Sequence, residues 1–295
     1  MLKLITVESR MEHEPWTSEH TKWLVDTGEQ LETADGKKVS VWEFRHEKDE
    51  AVLSAWAKHF RNHYCLDTEI DFLRGKSSRA DYLTKIKFPS KTTRLGPGIR
   101  AGDFGEILVS DYLQWRLGYW VPRVRWASKV IRDESPKGCD VIGFRFDKQN
   151  GEVSTGDALF VIESKTKFSA SKTNRLQDAI NDSVKDHIRI DESLNFIKQK
   201  LFDKSKIKCA KKIERFQNPV DMPYEEIYGA AAIISDEYFD ADELATVDCG
   251  NIPKVEKSKE FTSRPNADNL VLLVIKGADM MDLVHELYRR AADEA

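Results

Sequence analysis

The chain has 295 residues, 46 basic and 50 acidic side chains, a formal net charge of −4 and 40% hydrophobic residues. Such a composition excludes a disordered polymer and leaves room for one large domain or two smaller ones, while the net negative charge excludes a global attraction to nucleic acid, so any such contact needs a local basic patch. No run approaches the roughly 18 consecutive apolar residues of a membrane span, and Met1-Leu2-Lys3-Leu4 leads into charged sequence unlike a signal peptide, so the expected location is the cytoplasm, with no membrane partner.

Residues 1–90 read as a separate N-terminal helical or mixed region. They hold Trp16, Trp23, Trp42 and Trp56, whose main expected use is core packing beside a possible contact with a partner or DNA, and a helix-like stretch from Glu50 to Tyr64. His59 and His63 share a face of that helix and Cys65 follows, but no fourth zinc ligand is apparent. Pro89 and the triplet Gly96-Pro97-Gly98 place a boundary at 89–99, with 91–295 as the second unit.

After the boundary, Phe104, Ile107, Leu108, Tyr112 and Trp115 recur at helical spacing, with Asp103 placed as the cap. A second apolar stripe through Val109, Leu113 and Leu117 includes Glu106, so this acid should be buried and needs a partner. Strands are predicted at Tyr119–Trp126, Asp140–Phe146 and Ala158–Lys165, the last two joined by a polar hairpin loop containing Asn150-Gly151. Helices follow at Asn174–His187 and Glu192–Leu201, then apolar strands at Gly229–Ile234 and Leu270–Ile275, and a closing helix from Met280 to Arg290. This order predicts an α/β (α+β) fold, a mixed central sheet flanked by helices. Between Lys198 and Arg215 basic residues outnumber acids, which suits either a phosphate track or a solvated face. The four cysteines are scattered without a CxxC pair and are expected to be reduced.

The strand Leu159-Phe160-Val161-Ile162-Glu163-Ser164-Lys165 ends in an acid and an amine on one face. Burial of such a pair calls for an ion bridge or a catalytic site. Asp140, after Lys137-Gly138-Cys139, adds a second carboxylate at the entry to another strand. Hydrolysing a phosphodiester needs an activated water and neutralised phosphate charge, and Mg2+ held by a few hard oxygens supplies both. Asp140, Glu163 and the main-chain carbonyl of Ser164 would form that ligand set, with Glu106 completing it. Lys165 would orient water or stabilise the pentacovalent phosphate. Each residue also has a plainer use: an ion pair for Glu163 and Lys165, a turn cap for Asp140, a capping box with Asp103 for Glu106.

With Glu106, Asp140 and Glu163-Ser164-Lys165 in this order, residues 100–190 resemble the PD-(D/E)xK nuclease superfamily, with Cys139 in place of the proline. The resemblance implies a restriction-endonuclease-like core in 91–295 and catalytic roles for Glu106, Asp140, Glu163, Lys165 and Gln177. It also implies Mg2+ as cofactor, for which Mn2+ may substitute, and DNA as substrate, with Lys167, Lys172 and Arg175 against its backbone or simply solvated. Together with Gly102-Asp103-Phe104-Gly105-Glu106 and Lys137-Gly138-Cys139-Asp140, the set is similar to the HamA family, the nuclease subunit of the bacterial Hachiman anti-phage system. That likeness implies a superfamily 2 helicase partner of the HamB type. The chain lacks a GxxxxGK[ST] loop and should bind no ATP itself. The alternatives are a stand-alone restriction or repair endonuclease, and a non-catalytic subunit that binds DNA or a helicase on a nuclease scaffold.

Overall fold

A computed structural model describes residues 16–148, 152–250 and 269–295. Six strands form one mixed sheet: β1 (Leu24–Glu32), β2 (Lys38–Phe44), β3 (Val141–Arg145), β4 (Ala158–Lys167), β5 (Glu225–Ser235) and β6 (Val271–Gly277). Their spatial order is β1-β2-β6-β5-β4-β3. The four strands β2, β6, β5 and β4 run parallel, and an antiparallel strand closes each edge. Parallel strands need helical crossovers, which cover both faces of the sheet and require apolar side chains on both. Along β5 and β6, Ala231, Ile233, Leu273 and Ile275 enter one core, whereas Ala230, Ala232, Leu272 and Val274 enter the other.

The first core lies under α1 (Glu50–Tyr64), α4 (Gly96–Trp115) and α9 (Met280–Asp293), with two short helices, α2 (Asp67–Leu73) and α3 (Arg79–Tyr82), before α4. The second lies under α5 (Arg175–Ser183), α6 (Asp186–Asp203), α7 (Ile207–Glu214) and the short α8 (Ala241–Ala245). Local sequence sets several boundaries. Asp49 caps α1 by accepting from Val52 N, and Asn174 caps α5 by accepting from Leu176 N and Gln177 N. The expected mixed sheet with flanking helices is present, and β1 and β2 from the N-terminal region belong to it. Trp23 and Trp56 are core residues, as expected of most of these tryptophans. Among the described residues, no helix is long and apolar enough to cross a membrane.

Three local expectations give way. Gly96-Pro97-Gly98 opens α4 instead of breaking the chain, because proline in the first helical turn sacrifices a backbone N–H that has no intrahelical partner anyway. Asp103 therefore lies inside the helix, 1% exposed, and caps nothing. No strand forms over Tyr119–Trp126: only Trp120 bridges to Phe144, since Pro122 lacks a ladder donor and Arg123 has φ 51. The hairpin between β3 and β4 is present, while its Asn150-Gly151 signal lies outside the described residues.

Gly105 lets α4 approach β4. A Cβ there would stand 2.5 Å from Thr166 Cγ2, and a β-branched strand residue cannot swing away. Gly105→Ala should lower stability by about 1–3 kcal/mol, read as a reduced urea midpoint with unchanged m.

Candidate metal and phosphodiester site

α4 buries three acids, Asp103, Glu106 and Asp111, and the segment after it runs back along the helix with three cations. Arg123 lies 2.6 Å from Asp111, Arg125 3.0 Å from Glu106, and Lys129 2.5 Å from Asp103. The partner that burial of Glu106 demands is thus Arg125. Each of its five N–H donors is used: Nε on Glu106, Nη1 on the carbonyls of Lys137 and Cys139, Nη2 on the Pro136 carbonyl and on Asp140 Oδ1 at 2.8 Å. One guanidinium therefore fixes the loop entering β3 and joins Glu106 to Asp140. The second oxygen of Asp140 accepts from Ser164 N at 3.2 Å, which ties this acid to β4.

Alternation along β4 sends Glu163, Lys165 and Lys167 toward the α5 and α6 side, and Ser164 and Thr166 toward α4. Lys165 Nζ lies 2.6 Å from Glu163 Oε1 and 2.8 Å from Asp182 on α5. Ala230 and Ala232 of β5 sit level with Glu163 and Lys165 and, in a parallel pair, on the same face, so small neighbours leave room for the two polar side chains. Asp186, the first residue of α6, is completely buried in the same quarter. A cavity of about 210 Å³ opens beside this cluster, lined by Arg125, Asp140 and the start of β3 on one side and Ser193, Phe196 and Ile197 of α6 on the other.

Electrostatics follow from crowding acids in low dielectric. Burial, with Asp140 and Asp103 adding to it against the pull of Arg125, pushes Glu106 up to about 8. Asp186 is raised to about 7 by burial and by Asp140. Burial, Asp140 and Asp186 also raise Glu163, opposed by Lys165. For Lys165, burial pulls downward, but Glu163, Asp140 and Asp182 outweigh it and hold the amine as a cation. The four carboxylates Glu106, Asp140, Glu163 and Asp186 thus share two cations, Arg125 and Lys165. Hard oxygen donors with an excess of negative charge suit a divalent ion, and both oxygens of the buried Asp186 lack a nitrogen or oxygen partner.

Other predicted residues are placed elsewhere. Gln177 spends its amide on the backbone of Asp248 and on Asn181, so the structure does not bring it to the acids. Lys167, 7% exposed, pairs with Glu243 at 2.6 Å, and Arg175 pairs with Asp178, while Lys172 is exposed. Within the basic run, Lys198 meets Glu214 and Arg215 is buried on Asp157, so both belong to the fold rather than to a free phosphate track. His59 and His63 do not converge with Cys65. His59 and His20 instead face Asp111, where Arg123 already supplies the positive charge. Burial lowers His59 to about 4 and His63 well below its ordinary value, so both imidazoles stay neutral. All four cysteines are free thiols.

Sequence reasoning missed Arg125, Asp182 and Asp186. Arg125 had a signal, a charged residue between apolar Val124 and Trp126 facing an acid that needed a partner. Asp186 had none beyond its place four residues after Asp182.

Fold and cluster together define an α/β protein with a buried carboxylate and lysine site at the end of a central strand. The HamA family model matches residues 19–291, and the chain belongs to the HamA family, which makes it a Hachiman defence-associated protein. No curated protein matches the chain.

Glu106 and Asp186 keep protons in the fold that the unfolded chain releases above the ordinary carboxylate range. Raising pH through 5 to 8 therefore favours unfolding. Melting curves of the metal-free chain should show the highest midpoint near pH 5 and a steady fall toward pH 8; a midpoint rising over this interval would contradict the assignment. Arg125→Met should cost about 3–5 kcal/mol in urea denaturation, since it leaves buried acids unpaired.

Proposed function

We propose that this chain is a divalent-metal-dependent deoxyribonuclease of the PD-(D/E)xK type, the effector of an anti-phage defence complex that includes a superfamily 2 helicase. The observation that carries this reading is the buried Glu163 and Lys165 pair beside Asp140, with an excess of acid over base. A structural ion pair has no need of a further acid tied to the same strand, and burying it uncompensated is costly. The family match supports the defence role and, through it, the helicase.

Mg2+, held by Asp140 and Glu163 with Glu106 nearby, would supply a bound water of lowered pKa and neutralise phosphate oxygens. The chain's own residues do the rest. Glu163 commits one oxygen to Lys165 and keeps the other for the ion. Lys165, kept positive by its three acidic neighbours, stands ready to donate to the phosphate or the attacking water. Asp182 anchors the amine from α5, so its position is set by two elements rather than by a free side chain. Arg125 holds Asp140 and Glu106 in register.

Glu163→Gln and Lys165→Ala should each reduce Mg2+-dependent cleavage of DNA by at least about a hundredfold, with circular dichroism unchanged. Assayed with the helicase present, undiminished cleavage in both variants would overturn the nuclease reading. Defined cutting by the isolated chain would instead support a stand-alone enzyme.

A further inference from the structure

We propose that Asp186 is a ligand of the metal centre, a carboxylate contributed by the start of α6 that adds to the set from β3 and β4. This rests on the nuclease reading above. Asp186 is 0% exposed, yet neither of its oxygens meets a nitrogen or oxygen partner. The polar group beside it is the Cys139 thiol, a weak donor next to Asp140 in sequence. A buried carboxylate without strong donors is expensive and calls for a specific counterpart. An acid in the first turn of a helix is favoured by the helix dipole, but that benefit is available at the surface and does not require burying both oxygens.

Position supplies the rest. The α5–α6 junction is pinned over β4 by Asp182, which holds Lys165 at 2.8 Å, and Asp186 follows one helical turn later. Its charge lies within electrostatic reach of both Asp140 and Glu163. Arg125 is engaged by five acceptors and Lys165 by Glu163 and Asp182, while Arg189, nearly one turn along α6 and partly exposed, tempers the charge of Asp186 without bonding to it. Oxygens of Asp140, Glu163 and Asp186 do not all lie within 4.8 Å of one another in the metal-free arrangement, so a shared divalent ion would draw the three together and give Asp186 a close counterpart.

Calorimetric titration of the full chain with Mn2+ tests this in the wild type, Asp186→Asn and Glu163→Gln, with the metal-free melting temperature of each recorded. Asp186→Asn should weaken Mn2+ binding by about tenfold or more, while its metal-free melting temperature holds, because the near-isosteric amide replaces a carboxyl that already tends to keep its proton. Asp186→Ser carries the same comparison if the asparagine variant does not fold. Unchanged Mn2+ affinity in the Asp186 variant, with Glu163→Gln weakened, would overturn the role of Asp186 and leave the nuclease reading standing. Unchanged affinity in Glu163→Gln, or no binding by the wild type, would overturn both.

Discussion

The antiparallel run of charge between α4 and residues 123–129 is the interaction on which the rest depends. A helix that packs directly on a sheet has no room for unpaired acids, yet α4 buries three. Each is met in reverse order by a cation, Asp111 by Arg123, Glu106 by Arg125 and Asp103 by Lys129. Removing a single member leaves an isolated buried charge, so the set behaves as a unit. It explains why Tyr119–Trp126 is not a strand: its alternate side chains are committed to the helix, and its backbone is bent by Pro122 and Arg123.

From this unit the site is assembled by small steps. Arg125 draws the loop at Pro136–Asp140 against α4, and Asp140 then reaches the backbone of Ser164. Gly105 brings α4 close to Thr166, and Ala230 and Ala232 leave space next to Glu163 and Lys165. Asp111 shows how the same helix handles a fully partnered acid: burial pushes it upward, but the Arg123 charge and the hydrogen bonds from His59 and His20 outweigh that and hold it well below the ordinary range. Glu106 and Glu163 lack such full compensation and are shifted the other way.

Much of the fold was legible because its signals are local. The central strands are continuous apolar runs, and the caps at Asp49 and Asn174 mark helix starts. Glu106, Asp140, Glu163 and Lys165 fall at one end of the sheet because ordinary periodicity places them there. Other features depended on distant partners. β1 alternates in burial, but Thr27 and Glu29 fill inner positions and the register shifts between Asp26 and Gln30, so its sequence shows no apolar alternation. Gln177 was drawn toward the acids by resemblance, whereas the backbone at Asp248, far along the chain, takes its amide. Asp186 became visible as a site acid only when α5 and α6 were seen to break at Val184–Lys185 and bring it to β4.

The central claim is that an acid cluster short of positive charge receives a divalent ion. Counting the protons released on Mn2+ binding, by calorimetry at pH 7 in buffers of different ionisation enthalpy, tests it most directly. Protons held by Glu106, Glu163 and Asp186 must leave as the ion enters, so the account predicts net proton release at pH 7 that fades toward pH 10. Mn2+ binding without proton release at pH 7, or no binding at all, would contradict it.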